Sequence, residues 1–145
     1  MKLRISKRWR AEFRRHAIEE YEKPGGPFEA YAVMLGHKNG ETWEVVELHF
    51  PAVRATYDEE YFRVYYAEAL TDAKHEADAD HLEILGDIHS HPQSCDASPG
   101  EADLDLNTQG LIQGICAIYK PKNTKQKFRV HFRFWGEIPR VFAIE

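Results

Sequence analysis

Apolar and polar residues change period several times along this chain, and each change marks an element. Residues 2–6, "KLRIS", alternate weakly and predict a short strand. From there Trp9, Phe13, Ala17 and Tyr21 recur every four positions, the spacing of a helix with one buried side. "EKPGGP", 22–27, ends that helix, because its prolines and glycines cannot continue it. "EAYAVMLG", 29–36, is a nearly unbroken apolar run and reads as a buried strand. "HKNGET" contains an Asn-Gly turn, and "TWEVVELHF", 42–50, alternates as the second arm of a hairpin.

In "ATYDEEYFRVYYAEAL", 55–70, Thr56 and Glu59 have capping-box spacing, and Phe62, Tyr65, Tyr66, Ala69 and Leu70 form the inward stripe of a second helix. Its acidic tail is expected to fray near "HEADADH", 75–81. "LEILGDIHSH", 82–91, is a further strand, and a short helix is expected at "EADLDLNTQGLI", 101–112. "GICAIYKP" and "KFRVHFRFW" read as strands joined by the polar turn "KNTKQ", with a terminal strand in "RVFAIE". The order β-α-β-β-α-β-α-β-β predicts an α/β (α+β) fold: a mixed sheet flanked by helices, one domain over 1–145, with the "HSH" segment leaving a strand end.

Composition narrows the class. At 43% hydrophobic and 30% charged residues the chain has the make-up of a folding domain rather than a disordered segment. No apolar run is long enough to span a bilayer, and "MKLRISKRWR" leads into "AEFRRHAIEEY" rather than the apolar core of a secretory signal. Cys95 and Cys116 cannot make a disulfide framework, so a cytoplasmic location is expected. The net charge of −5 conceals a basic start, with Lys2, Arg4, Lys7, Arg8, Arg10, Arg14 and Arg15. Without interleaved aromatics or a nucleic-acid motif, this reads as the solvated side of a helix, not a nucleic-acid surface.

The chemistry gathers in "GDIHSHPQSCDASPGEAD", 86–103. Alternate side chains of an extended segment point the same way, so His89 and His91 can reach one cation. Catalytic zinc takes about three protein ligands and keeps one position open. A third ligand must come from elsewhere, and the next carboxylates follow the loop. Ser98, Pro99 and Glu101 also read as an ordinary helix start, with Ser98 at the N-cap, Pro99 first and Glu101 three residues past the cap. That reading leaves Asp103 unexplained. Of the thiols, Cys95 is a loop residue and Cys116 reads as core; the remaining histidines, 16, 37, 49, 75, 81 and 131, show no ligand spacing.

"HSHP", the loop and "SPGEAD" resemble the motif of the JAMM (MPN+) metalloprotease family: His-[Ser/Thr]-His-Pro, a spacer, then Ser-x-x-Asp. The family also carries a glutamate seven residues before the glycine closing a hydrophobic strand, as Glu29 stands to Gly36, sixty residues ahead of His89. The resemblance covers essentially the whole chain. It implies the MPN/JAB (cytidine-deaminase-like) architecture, one zinc per chain held by His89, His91 and Asp103, Glu29 as general base and Ser98 as oxyanion donor. The spacing departs by one: Asp103 lies twelve residues after His91 where the family has eleven, and Glu101 lies ten after it. Aligning "PGEADL" on the common form favours Asp103 over Glu101 and displaces Ser98 from the usual serine position.

The implied activity is hydrolysis of an amide or isopeptide bond after the C-terminal tail of a ubiquitin-like or β-grasp carrier protein, with no membrane or nucleic-acid partner. The alternatives are a non-catalytic scaffold of the same fold, or a metallopeptidase acting on an unrelated peptide. An exposed strand beside the site could hold an extended tail by strand addition.

Overall fold

The computed structural model describes residues 2–51, 59–98, 110–121, 127–136 and 142–144. In chain order the elements are β1 (Lys2–Arg4), α1 (Lys7–Glu22), β2 (Tyr31–Asn39), β3 (Thr42–His49), α2 (Glu59–Ala79), β4 (Glu83–Pro92), β5 (Ile112–Tyr119), β6 (Arg129–Trp135) and β7 (Phe142–Ile144). The strands form one mixed sheet in the order β6-β5-β4-β2-β3-β1-β7. β2 and β3 make the hairpin that the Asn-Gly turn announces, with Gly40 at φ +60°. β1 lies parallel to both β3 and β7, and β4 is antiparallel to β2 but parallel to β5. This is an α+β fold with a mixed sheet and helices on its two faces.

Helix α1 starts at Ser6, whose hydroxyl accepts the Trp9 amide at 3.4 Å. Its stripe buries Phe13 and Ala17 against one face of the sheet, with Leu3, Ile5, Ala32, Met34, Leu48, Ile88, Cys116 and Ile118. The basic residues of α1 include Arg15, exposed and paired with Glu12 and Glu19 along the helix. Burial pushes the Cys116 thiol up to about 12, which makes it a core residue without nucleophilic use.

Helix α2 covers the other face, and its tail does not fray as the acidic sequence led one to expect. Ala69, Ala73 and Ala77 continue one stripe at four-residue spacing and pack on Tyr31, Val33 and Leu35. His49 on β3 also bonds Asp72 and Glu76 of that tail, with Nε2 at 2.8 Å from Asp72 Oδ2. Small apolar residues hidden among acids thus hold the last turns. Two other expectations shift: the first strand stops at Arg4, and Ile112 opens β5 rather than closing a helix. Gly110 and Leu111 are not helical either; residues 101–109 of that expected helix, the turn 122–126 and the Thr56 cap lie outside the described residues. Among the described residues no helix is long and apolar enough to cross a membrane.

One irregularity decides which face carries the histidines. The β2–β4 register passes from Leu35↔Ile84 to Met34↔Gly86, so Leu85 is an extra residue, a β-bulge. Leu85 and Ile88 consequently both point into the α1 core, although they are three residues apart. A one-residue offset reverses every side chain after it. Ile88 faces α1, and Asp87, His89 and His91 face the opposite side.

Candidate metal centre

β4 is a central strand, and it continues through the motif instead of ending before it: His91 and Pro92 pair with Ala117 and Ile118 of β5. The histidines are therefore mounted on a strand braced from both sides. His89 is 2% exposed, and His91 is half-buried at the rim. Their rings lie 4.9 Å apart between centroids, with the two Nε2 atoms 3.1 Å from one another. As the side chains stand, one Nε2–H donates to the other Nε2. A tetrahedral cation at about 2.0–2.1 Å from each nitrogen requires them about 3.3–3.4 Å apart. A few tenths of an ångström separates the observed pair from that spacing, so the two donors fit zinc.

His91 has a backbone acceptor: its Nδ1 lies 3.4 Å from the Asp96 carbonyl, the kind of partner that turns Nε2 toward a metal. The loop providing it is itself pinned. Ser94 Oγ accepts the Asp96 amide at 3.0 Å, and Trp135 Nε1 donates to the Ala97 carbonyl at 2.9 Å. Ala97 is buried against Ile115 and Ala117 beneath Trp135.

Ser90, between the histidines, is fully buried and faces the other way. Its hydroxyl accepts the Ala30 amide at 2.7 Å, and its own amide donates to the Ala30 carbonyl at 3.0 Å. This clamp joins residues sixty apart in sequence. Tyr31 is level with His89, and the clamp on Ala30 anchors the residue that follows Glu29 in sequence to the one between the histidines. Glu29 is half-buried and lies two residues ahead of Tyr31, where β2 begins.

Of the five residues expected from sequence, His89 and His91 are brought together on β4, and Glu29 precedes the Ala30 that is clamped to Ser90 between them. Ser98 is exposed on the loop, where its amide donates to Asp96 Oδ1 at 2.9 Å. The Ser98 hydroxyl is a second donor to the same carboxyl, and together they hold Asp96 below the usual carboxylate range. Asp103 and its alternative Glu101 lie outside the described residues. Sequence reasoning missed Ser90 as the clamp, Asp96 as the His91 acceptor, and the buried Asp87, which accepts the Tyr31 hydroxyl at 3.1 Å. Only the alternation of Asp87 with His89 and His91 hinted at the last.

A second polar group lies between β3 and α2, where Glu47, Glu76 and Asp80 bring oxygens within 4.8 Å of one another. Burial, then hydrogen bonds and repulsion from Glu76 and Asp80, push the Glu47 carboxyl up to about 7. With His49 bonded to Asp72 and Glu76, this cluster joins helix to sheet.

The described residues thus form a mixed α+β sheet whose bulged central strand presents two converging histidines. The chain belongs to the prokaryotic homologs of the JAB domain, a family whose model matches residues 6–134. Among solved structures, a protein from Desulfitobacterium hafniense is similar at 19% identity and TM-score 0.60, covering 100% of this chain and 94% of that one. A JAB1/MPN domain protein from Archaeoglobus fulgidus is similar at 20% identity and TM-score 0.44, covering 100% of both chains. A third structure, described as JAMM, a metalloprotease-like zinc site in the proteasome and signalosome, has 18% identity and TM-score 0.45, covering 100% of this chain and 98% of that one. No curated protein matches the chain.

Proposed function

We propose that this protein is a zinc-dependent isopeptidase or peptidase that hydrolyses the amide bond after the C-terminal tail of a ubiquitin-like or β-grasp carrier protein. The observation that carries the reading is the convergence of His89 and His91 Nε2 at 3.1 Å, on a strand whose Ser90 is bonded to Ala30, the residue after Glu29. His89, His91 and Asp103 would hold the metal, one zinc per chain. Bound zinc supplies Lewis acidity, polarising the scissile carbonyl and acidifying the attacking water.

Glu29 takes the proton from that water as it attacks and hands it to the leaving amine. The Ser90 clamp on Ala30 fixes the backbone next to Glu29, so the base stays in reach of the attacking oxygen. Ser98 donates to the developing oxyanion once its hydroxyl leaves Asp96. No covalent intermediate with the protein is needed.

The test offers zinc-loaded protein a set of ubiquitin-like and β-grasp proteins fused through their C-terminal tails to a reporter, and compares Glu29→Gln. The wild type is expected to release the reporter. Glu29→Gln should keep zinc and fold but lose at least about a hundredfold in turnover. Undiminished turnover in Glu29→Gln would remove it as the base, and cleavage of unrelated peptides in preference to every fusion would overturn the substrate class.

A further inference from the structure

His91 has its Nδ1 partner in the Asp96 carbonyl, at the exposed rim. A ligand histidine needs such a partner, because the hydrogen bond at one ring nitrogen fixes the tautomer and aim of the other. His89 sits deeper, at 2% exposure, where the acceptor must come from the buried face of the sheet. Among the described residues, the buried side chains of Asp87, Tyr31 and Gln113 share that face with it. Asp87 is two residues before His89 on the same side of β4 and is 3% exposed. Tyr31, cross-strand from His89, donates its hydroxyl to Asp87 Oδ2 at 3.1 Å. Gln113, level with Asp87 on β5, is 2% exposed, and both its Nε2 and its Oε1 are buried without a hydrogen-bond partner.

A buried carboxylate is rare without a reason, and so is an orphaned carboxamide next to it. We propose that Asp87, held by Tyr31 and flanked by Gln113, is the positioning residue for His89: its carboxylate accepts the His89 Nδ1–H when Nε2 is committed to the metal. Tyr31 bonds one oxygen of Asp87, and a carboxylate accepts more than one hydrogen bond. Gln113 supplies a donor that closes on Asp87 as the carboxylate turns. Asp87 touches neither substrate nor metal and acts only through the ring it aims. The inference rests on the reading of His89 as a zinc ligand.

The experiment is a zinc titration against a competing chelator, together with nitrogen-15 spectra of the histidine rings, on the intact chain. For wild type, zinc should place the His89 proton on Nδ1 and shift that signal. Asp87→Ala is expected to fold, to weaken zinc by about ten- to a hundredfold and to lose the His89 Nδ1–H signal. Asp87→Asn, which keeps one carbonyl oxygen, should recover part of both. If Asp87→Ala does not fold, Tyr31→Phe and Gln113→Leu carry the test, each with a smaller loss of affinity in the same direction. Zinc bound by wild type and by a folded Asp87→Ala with equal affinity and identical His89 signals would overturn the positioning role alone. A wild type that binds no zinc would overturn the metal reading with it.

Discussion

Replacing Ser90 with alanine removes one oxygen from the centre of the sheet, and the structure sets the consequence. Ser90 is 0% and Ala30 1% exposed, so water cannot replace the 2.7 Å bond from the Ala30 amide to Ser90 Oγ. An orphaned buried amide costs about 1–3 kcal/mol. The reciprocal bond, Ser90 amide to Ala30 carbonyl at 3.0 Å, survives, so β2 and β4 stay paired and the fold persists. We expect Ser90→Ala to lose about 2 kcal/mol, roughly 4–8 °C in Tm for a chain of this size. For the proposed hydrolysis, the larger effect is expected on turnover. Ala30 is the residue next to Glu29, and a shift of about 1 Å at a catalytic group can cost on the order of a hundredfold. Ser90→Thr keeps the oxygen on a β-branched side chain suited to a strand, and should retain most of both properties. The assays are urea unfolding and single-turnover cleavage. A Ser90→Ala protein as stable and as fast as wild type would refute the clamp.

Two further outcomes follow from the same geometry. A Cβ on Gly86 would lie 1.7 Å from the Ile112 carbonyl oxygen, so Gly86→Ala must push β4 off β5 just before the histidines; we expect a loss of about 3 kcal/mol or more by urea unfolding, together with weaker zinc binding. For Glu47, whose carboxyl sits at about 7 instead of 4.5, the folded state keeps a proton that the unfolded chain releases. Its contribution is fully present below about pH 4.5 and is lost as pH rises through 7. The full shift corresponds to about 3 kcal/mol, and water at the half-buried cluster with Glu76, Asp80, His49 and Asp72 cuts this to on the order of 1–2. Urea midpoints at pH 5 and pH 8 should therefore differ less in Glu47→Gln than in wild type, and equal slopes would refute it.

Much of the fold was legible because it depends on local chemistry. The Asn-Gly turn, the four-residue stripe of α1 and the period-two strand carrying "HSH" each say what they form. The bulge at Leu85 was not legible. It exists only in the pairing of β4 with β2, and it alone decides that the histidines face away from α1. The tail of α2 misled because Ala73 and Ala77 give a weak apolar signal among acids, while their packing on Val33 and Leu35 is a tertiary fact. At the site, alternation put His89 and His91 on one face, and the structure adds the distance between them. What spacing could not convey is how the site is supported: Ser90 reaching Ala30, the Asp96 carbonyl behind His91, and a buried Asp87 where a charged residue is ordinarily exposed.

Elemental analysis of protein purified without added metal or chelator is the direct test of the proposed metal site at His89 and His91. About one zinc per chain is expected in the wild type, and loss of that zinc in a folded His89→Ala. Wild type that stays metal-free after zinc is offered, or His89→Ala that keeps its zinc, would contradict it.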